Sequence, residues 1–270
     1  MYQLSAIYIY PIKSLGGIAL QQSWVLPKGL EHDRRWMLID EQHQFITQRQ
    51  WPQLSQFGMR QEADGSFVIV HQGDELLLPF TTEGPTISAT VWDDVVQVKE
   101  VSQQHHAWFS ARLGTSVRLV HFPETNDRPV DSRYALHGEH TSLSDGYPIL
   151  LIGEASLADL NNRLATPVDM RRFRPNLVFS GGAAFDEDDW RRFSIGEVAL
   201  VAVKPCARCV LTTVNPDTGE RGKEPLATLS TYRRFDQKVL FGQNVLPITQ
   251  GLLKVGTPIS MLPDSDEELL

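Results

Sequence analysis

The stretch VALVAVKPCARCVLTTV, residues 198–214, opens with six small or branched apolar residues and closes with a second β-branched run. Short apolar runs bounded by glycine, proline or charged residues predict β-strands. The same pattern recurs along the chain, at residues 4–12, 34–40, 66–72, 75–80, 87–92, 95–101, 116–122, 147–153, 175–181 and 253–262. Many short strands separated by turn residues predict a mainly β fold of the barrel or sandwich type.

Helical periodicity is clear in only a few segments. Apolar residues recur at helical spacing in 105–114, and Leu157, Leu160 and Leu164 follow the i, i+3, i+7 pattern of a helix with a buried face. Shorter helical turns are predicted at 184–193 and 223–234. Strands and helices do not alternate regularly, and residues 122–142 form the longest stretch without either pattern.

Composition limits the classes of function. The net charge of −8 argues against a general nucleic-acid binder, which usually presents a basic surface. Two cysteines cannot build a disulfide framework, which indicates a reducing compartment. The first residues lack the pattern of a signal peptide, and no apolar run approaches the roughly 20 residues that span a bilayer. We therefore expect a cytoplasmic protein that needs neither a membrane nor nucleic acid.

The two cysteines, Cys206 and Cys209, lie three residues apart beside basic residues. A zinc site needs four ligands, and no second pair of ligands has the right spacing. A thioredoxin-like dithiol needs a helix after the cysteines, whereas residues 210–214 predict a strand. Inert packing and ligation of a soft metal within a cofactor both stay open, since Lys204 and Arg208 favour a thiolate.

The residues around these cysteines resemble the cysteine motif of MOSC domains, in particular those of the mitochondrial amidoxime reducing component and its bacterial relatives. Five further blocks resemble the same family in the same order. They are YPIKSLGG (10–17), HDRRWMLID (32–40), SLSDGYPILLIGEASLADLN (142–161), RRFRPNLVFSG (171–181) and FGQN (241–244). The resemblance therefore covers nearly the whole chain.

This resemblance implies a mainly β (α+β) fold, a MOSC β-barrel with a smaller N-terminal β-containing region and a few helices. The expected division is residues 1–120 for the N-terminal region, 121–265 for the MOSC domain and 266–270 for an acidic tail. The two regions are expected to interlock, because the family places residues of both at one cofactor.

The resemblance also implies a site. Cys209 would be the metal ligand and the catalytic residue, while Cys206 would not coordinate the metal. The residues expected to bind the cofactor are Lys13, Ser14, Arg34, Ser144, Asp145, Arg174, Asn176 and Asn244. Arginine and lysine suit a phosphate, and asparagine suits a pterin edge with alternating donors and acceptors.

The implied function is that of an oxidoreductase. Molybdenum cofactor, with or without a nucleotide, would reduce N-hydroxylated substrates such as amidoximes, hydroxylamines or N-hydroxylated bases. Two cysteines cannot supply the four thiolates of an iron–sulfur cluster, so a separate ferredoxin-like or flavin-containing protein would donate the electrons. The alternative is a carrier of molybdenum cofactor or of sulfur that catalyses nothing itself.

Overall fold

A computed structural model of the chain describes residues 1–263, so the predicted acidic tail, 266–270, lies outside the described residues. The helices in this part of the chain are α1 (Gln103–Leu113), α2 (Glu154–Arg163) and α3 (Leu226–Tyr232). The strands are β1 (Tyr2–Ile9), β2 (Ile18–Leu20), β3 (Gln22–Leu26), β4 (Gly29–Leu30), β5 (Trp36–Ile39), β6 (Gly58–Gln61), β7 (Phe67–His71), β8 (Asp74–Leu78), β9 (Thr86–Val91), β10 (Asp94–Glu100), β11 (Arg118–His121), β12 (Ile149–Gly153), β13 (Leu177–Ser180), β14 (Arg192–Ile195), β15 (Val198–Arg208), β16 (Arg234–Phe235), β17 (Lys238–Pro247), β18 (Gly251–Lys254) and β19 (Pro258–Met261).

Seven strands form a closed barrel, in the order β12, β13, β1, β19, β14, β15 and β17, with β17 pairing back onto β12. Neighbouring strands are antiparallel except β12 and β13, which are parallel. Alternate apolar side chains of these strands are buried in the main core, among them Leu4, Leu151, Phe193, Leu200 and Val245. The predicted mainly β fold with a barrel is confirmed.

Three smaller sheets complete the fold, in the strand orders β5-β11-β10-β9, β18-β3-β4 and β6-β7-β8. Strands are exchanged between the two halves of the chain. β1 lies between β13 and β19 in the barrel, and β18 pairs with β3, with Leu252 opposite Trp24. The division near residue 120 remains a prediction, and the halves are joined through shared sheets.

The helices form where the periodicity predicts them. Ser102 caps α1, and Gly114 ends it in the left-handed region, with φ 68°. Leu160 of α2 is fully buried. Leu157 and Leu164 are partly buried against the same cluster. Among residues 1–263, no helix is long and apolar enough to cross a membrane.

Three local predictions are wrong. The strand predicted at 253–262 is two strands, β18 and β19, because the chain turns between them at Gly256, with φ 90°. The strand predicted at 34–40 begins only at Trp36, because Arg34 adopts a left-handed backbone with φ 50°. The strand predicted at 210–214 is a 3-10 helix, Val210–Thr213. Here the hydroxyls of Thr212 and Thr213 donate to the carbonyls of Cys209 and Val210, local bonds that replace strand pairing.

Candidate functional site

A cavity of about 350 Å³ opens where the end of β15 meets loops of the N-terminal half. Its wall combines residues from distant parts of the sequence, as the interlocked fold requires. The structure brings all nine predicted site residues to this wall: Lys13, Ser14, Arg34, Ser144, Asp145, Arg174, Asn176, Cys209 and Asn244. Cys206 lines it as well. The fold therefore makes one site out of residues spread over more than 200 positions.

Each cysteine sulfur accepts a hydrogen bond from an arginine. Cys209 follows β15 and precedes the 3-10 helix, and its Sγ lies 3.3 Å from Nε of Arg49. Cys206 lies within β15, with its Sγ 3.0 Å from Nη1 of Arg208. Both thiols are free and partly exposed. Within residues 1–263 no three His, Cys, Asp or Glu side chains converge on a common point, so a zinc site has no ligand set there.

Lys13 brings a buried cation to the cavity. Its ammonium donates to the carbonyl of Leu143 at 2.8 Å and to Oδ1 of Asp145 at 2.6 Å. Burial lowers the pKa of Lys13 to about 8, although the neighbouring Asp145 carboxylate opposes this shift. A lysine with this pKa is still mostly charged at neutral pH, and an arriving anion would stabilise its charged form.

Arg34 and Arg174 form a second cationic group, stacked on one aromatic ring. Their guanidinium carbons lie 4.3 and 4.1 Å from the ring centroid of Tyr10, whose hydroxyl donates to the carbonyl of Pro175 at 3.1 Å. Arg34 is paired with the buried carboxylate of Asp33 at 2.5 Å. Burial lowers the pKa of Arg174 to about 10, and no carboxylate within residues 1–263 pairs with it.

Asp145 connects the cations to the cysteine. It accepts from Lys13, from Trp92 Nε1 at 3.2 Å and from Arg49 Nη2 at 3.4 Å. Desolvation by the surrounding protein alone would raise the pKa of this carboxyl. The charges of Lys13 and Arg49 and the hydrogen bonds outweigh that effect and hold its pKa well below the usual range. Asp145 is therefore an anion at any physiological pH.

Three of the predicted anion contacts have an unusual backbone. Ser14, Arg34 and Arg174 have φ values of 70°, 50° and 55°, in the left-handed region that branched or long side chains rarely adopt. Such conformations persist when the surrounding structure fixes them, and they gather at functional sites. Three of them therefore lie around one cavity, and the surrounding structure holds these side chains in fixed positions on its wall.

The remaining predicted residues support the wall. The side-chain amide of Asn176 accepts from Arg34 at 3.0 Å and from the backbone of Leu150 at 3.2 Å, and donates to the carbonyl of Tyr8 at 3.2 Å. Asn176 therefore positions Arg34. Asn244 of β17 donates to the carbonyl of Lys204 at 3.2 Å.

Ser144 is buried, and its hydroxyl lies 3.3 Å from that of Ser142. Its carbonyl accepts a hydrogen bond from Nη1 of Arg128 at 2.5 Å. Arg128 also donates to the carbonyl of Ser142, so this arginine fixes the loop that carries Asp145.

Sequence reasoning missed Arg49 and Trp92. Arg49 stacks over the Trp92 ring at 4.2 Å, and Trp92 stands at the tip of the β9–β10 hairpin with φ 57°. Neither residue lies in a block that resembles the family. A large aromatic residue in a tight turn, where a small residue is usual, is the signal that would have drawn attention to Trp92.

Two buried polar atoms of the cavity wall have no hydrogen-bond partner among residues 1–263. They are the hydroxyl of Tyr147 and Nε of Arg208. A buried donor without a partner is unfavourable, and native proteins keep few of them. Together with the cations and a free thiol, these donors suit an anionic ligand that carries a soft metal.

Comparison with known proteins finds matches over nearly the whole chain. The family model described as the MOSC domain matches residues 138–260, and the one described as the MOSC N-terminal beta barrel domain matches residues 1–116. Mitochondrial amidoxime-reducing component 1 is 36% identical in Mus musculus and 34% identical in Homo sapiens, covering in each case 96% of this chain and 82% of the relative. Mitochondrial amidoxime reducing component 2 of Rattus norvegicus is 35% identical, over 97% of this chain and 83% of the relative.

Proposed function

The chain belongs to the MOSC family, in the group that joins a MOSC domain to a MOSC N-terminal β-barrel domain, and from this membership we propose that it is a molybdenum-cofactor oxidoreductase. Its substrates would be N-hydroxylated compounds such as amidoximes, hydroxylamines and N-hydroxylated bases. Relatives named as amidoxime-reducing components support this substrate class.

One observation carries the proposal. The free thiol of Cys209 lies on the same cavity as three cations, Lys13, Arg34 and Arg174, from distant parts of the chain. Thiolate is a ligand for soft metals, and the cations suit a phosphate on the same ligand. The partnerless donors of Tyr147 and Arg208 add capacity for further acceptor atoms. The residues present therefore fit the cofactor.

The roles follow from the chemistry of the side chains. Cys209 would hold the metal, while Lys13, Ser14, Arg34 and Arg174 would hold the phosphate. Ser144, Asp145, Asn176 and Asn244 would border the pterin. When bound, the cofactor would supply the two-electron chemistry that breaks an N–O bond.

The protein's own groups would prepare that chemistry. Arg49 donates to the sulfur of Cys209 and is itself fixed by the Trp92 ring and by Asp145. Hydrogen bonds to a ligating sulfur tune the metal that it binds. The partners would be a small N-hydroxylated substrate and a separate electron-donor protein, with no role for nucleic acid or a membrane. A cytoplasmic location stays a prediction from the sequence.

The test is metal and pterin analysis of protein made in a host that synthesises the cofactor. Wild type, Cys209→Ala and the matched control Cys206→Ala are compared, followed by an N-reduction assay with a chemical reductant. We expect about one molybdenum per chain, lost in Cys209→Ala and largely kept in Cys206→Ala. Metal without turnover would favour the carrier function instead. Absence of metal from all three proteins would contradict both.

A further inference from the structure

The hairpin of β16 and β17 presents an exposed aromatic residue near β15, the strand that leads to Cys209. Phe235 is 70% exposed at the end of β16, opposite Lys238 of β17. Val210, the residue after Cys209, is 49% exposed. Phe235 therefore presents a large aromatic surface to solvent, and protein–protein interfaces are rich in aromatic residues.

The pairing of strands places this hairpin close to the cysteines. Val239 of β17 pairs with Arg234 on one side and with Arg208 of β15 on the other. Neighbouring strands lie about 4.8 Å apart, so β16 is about 10 Å from β15. Cys209 directly follows Arg208. The exposed hairpin is thus two strands away from the proposed metal ligand.

The charge of this segment differs from that of the rest of the molecule. Residues 204–238 contain seven Lys or Arg and four Asp or Glu, which gives +3 in a chain of net charge −8. Arg234 and Lys238 are exposed, and neither forms an ion pair within residues 1–263. Asp236 in the turn between them is the one acidic residue of the hairpin. An acidic partner would be repelled by most of the surface and attracted here.

We propose that Val210, Phe235, Arg234 and Lys238, called the hairpin patch, form the docking surface for a small acidic one-electron carrier protein. The proposal rests on the proposed function, which needs a separate donor. Two encounters with the reduced carrier would supply the two electrons of the reaction R–NHOH + 2e⁻ + 2H⁺ → R–NH₂ + H₂O. The N–O bond breaks, a new N–H bond forms, and two carrier molecules are oxidised. An apolar centre with a cationic rim suits a small, transient interface of less than about 1,200 Å².

The test measures docking apart from catalysis. Binding of an oxidised acidic plant-type [2Fe–2S] ferredoxin is measured by calorimetry at low and high salt. The variants are the double charge reversal Arg234→Glu/Lys238→Glu and, separately, Phe235→Ala. The matched controls outside the patch are Lys254→Glu, which reverses an exposed cation, and Leu77→Ala, which truncates a side chain that is 58% exposed.

We expect the charge reversal to weaken binding at low salt by about tenfold or more and to remove most of its salt dependence. Phe235→Ala should weaken binding at both salt concentrations, and the controls should bind like wild type. Equal effects of patch and control variants, or no binding by wild type, would overturn the proposal. Association of the chain with itself through the patch, seen by light scattering, would also overturn it.

Turnover with dithionite-reduced methyl viologen reports on the proposed function separately. The patch variants should keep this activity within about twofold, because their side chains lie outside the cavity wall. Patch-dependent ferredoxin binding without viologen turnover in wild type would support the docking surface and contradict the proposed function. Viologen turnover without patch-dependent ferredoxin binding would support the proposed function and contradict the docking surface.

Discussion

Gly242 tests how tightly the barrel is closed. It lies in β17 with φ +81°, where the pairing of β17 with β12 closes the barrel. An added Cβ would lie 2.6 Å from Cγ1 of Ile152 and 2.8 Å from the carbonyl oxygen of Leu151. Gly242→Ala therefore combines two unfavourable effects. The left-handed backbone costs about 1–2 kcal/mol for an alanine, and overpacking a tight core adds about 1–3 kcal/mol.

The matched control is Gly138→Ala. Gly138 has φ +80°, and a Cβ there would meet nothing within 4 Å, so only the backbone effect applies. Urea and thermal unfolding of both variants should show a loss of about 2–5 kcal/mol for Gly242→Ala and about 1–2 kcal/mol for Gly138→Ala. The first loss corresponds to a Tm lowered by roughly 4–20 °C. Equal losses in the two variants would show that β12 and β17 separate at little cost and would refute the steric argument.

Two further predictions concern titrating groups. Lys13 has a pKa of about 8, so its charge is lost as the pH rises through 8, and pyrophosphate binding by calorimetry should weaken about tenfold between pH 7 and 9. Lys13→Arg should bind pyrophosphate alike at both pH values, and a wild type that does so too would show that Lys13 does not contact the anion. Burial raises the pKa of Glu187, whose carboxylate accepts from Gly153 N at 3.1 Å and Ser156 Oγ at 2.8 Å. The folded state then holds the Glu187 proton more tightly than the unfolded chain, so the stability of wild type falls as the pH rises through the folded pKa. The Tm of Glu187→Gln relative to wild type should therefore rise from pH 4 to 7. A Tm difference that stays constant over this range would contradict the prediction.

Much of the fold could be predicted because its signals are local. Alternating apolar residues in short runs indicate strands, and helical spacing over residues 105–114 indicates α1, which ends at Gly114. The errors arise where tertiary structure overrides local preference. Arg34 leaves the strand predicted for it, and its guanidinium contacts Asp33 and the Tyr10 ring, an arrangement that the pattern of apolar residues does not report.

The site was predictable only where residues lie in recognisable blocks. Lys13 and Cys209 come from such blocks, and the fold places them on one cavity. Arg49 could not be predicted, because its contact with the site depends on how the N-terminal loops fold over the end of the barrel. Trp92 was missed for the same reason, and its only sequence signal is a large aromatic residue in a tight turn. The contact of Asn176 with the cofactor stays a prediction, and the bonds of its amide to Arg34, Leu150 and Tyr8 are a fact that only hydrogen-bond geometry reveals.

The position of β1 has a consequence for how the chain is made. This strand, Tyr2–Ile9, precedes both of its barrel neighbours by a long stretch of chain, because β13 and β19 begin at Leu177 and Pro258. During translation β1 can pair early with β2, but it must wait for both barrel neighbours until β19 has left the ribosome. Barrel closure is therefore a late event, and the exposed edges of β1 are a site for aggregation or for chaperone binding in the nascent chain. The MOSC half synthesised alone would lack β1, and the edges of β13 and β19 would stay unpaired.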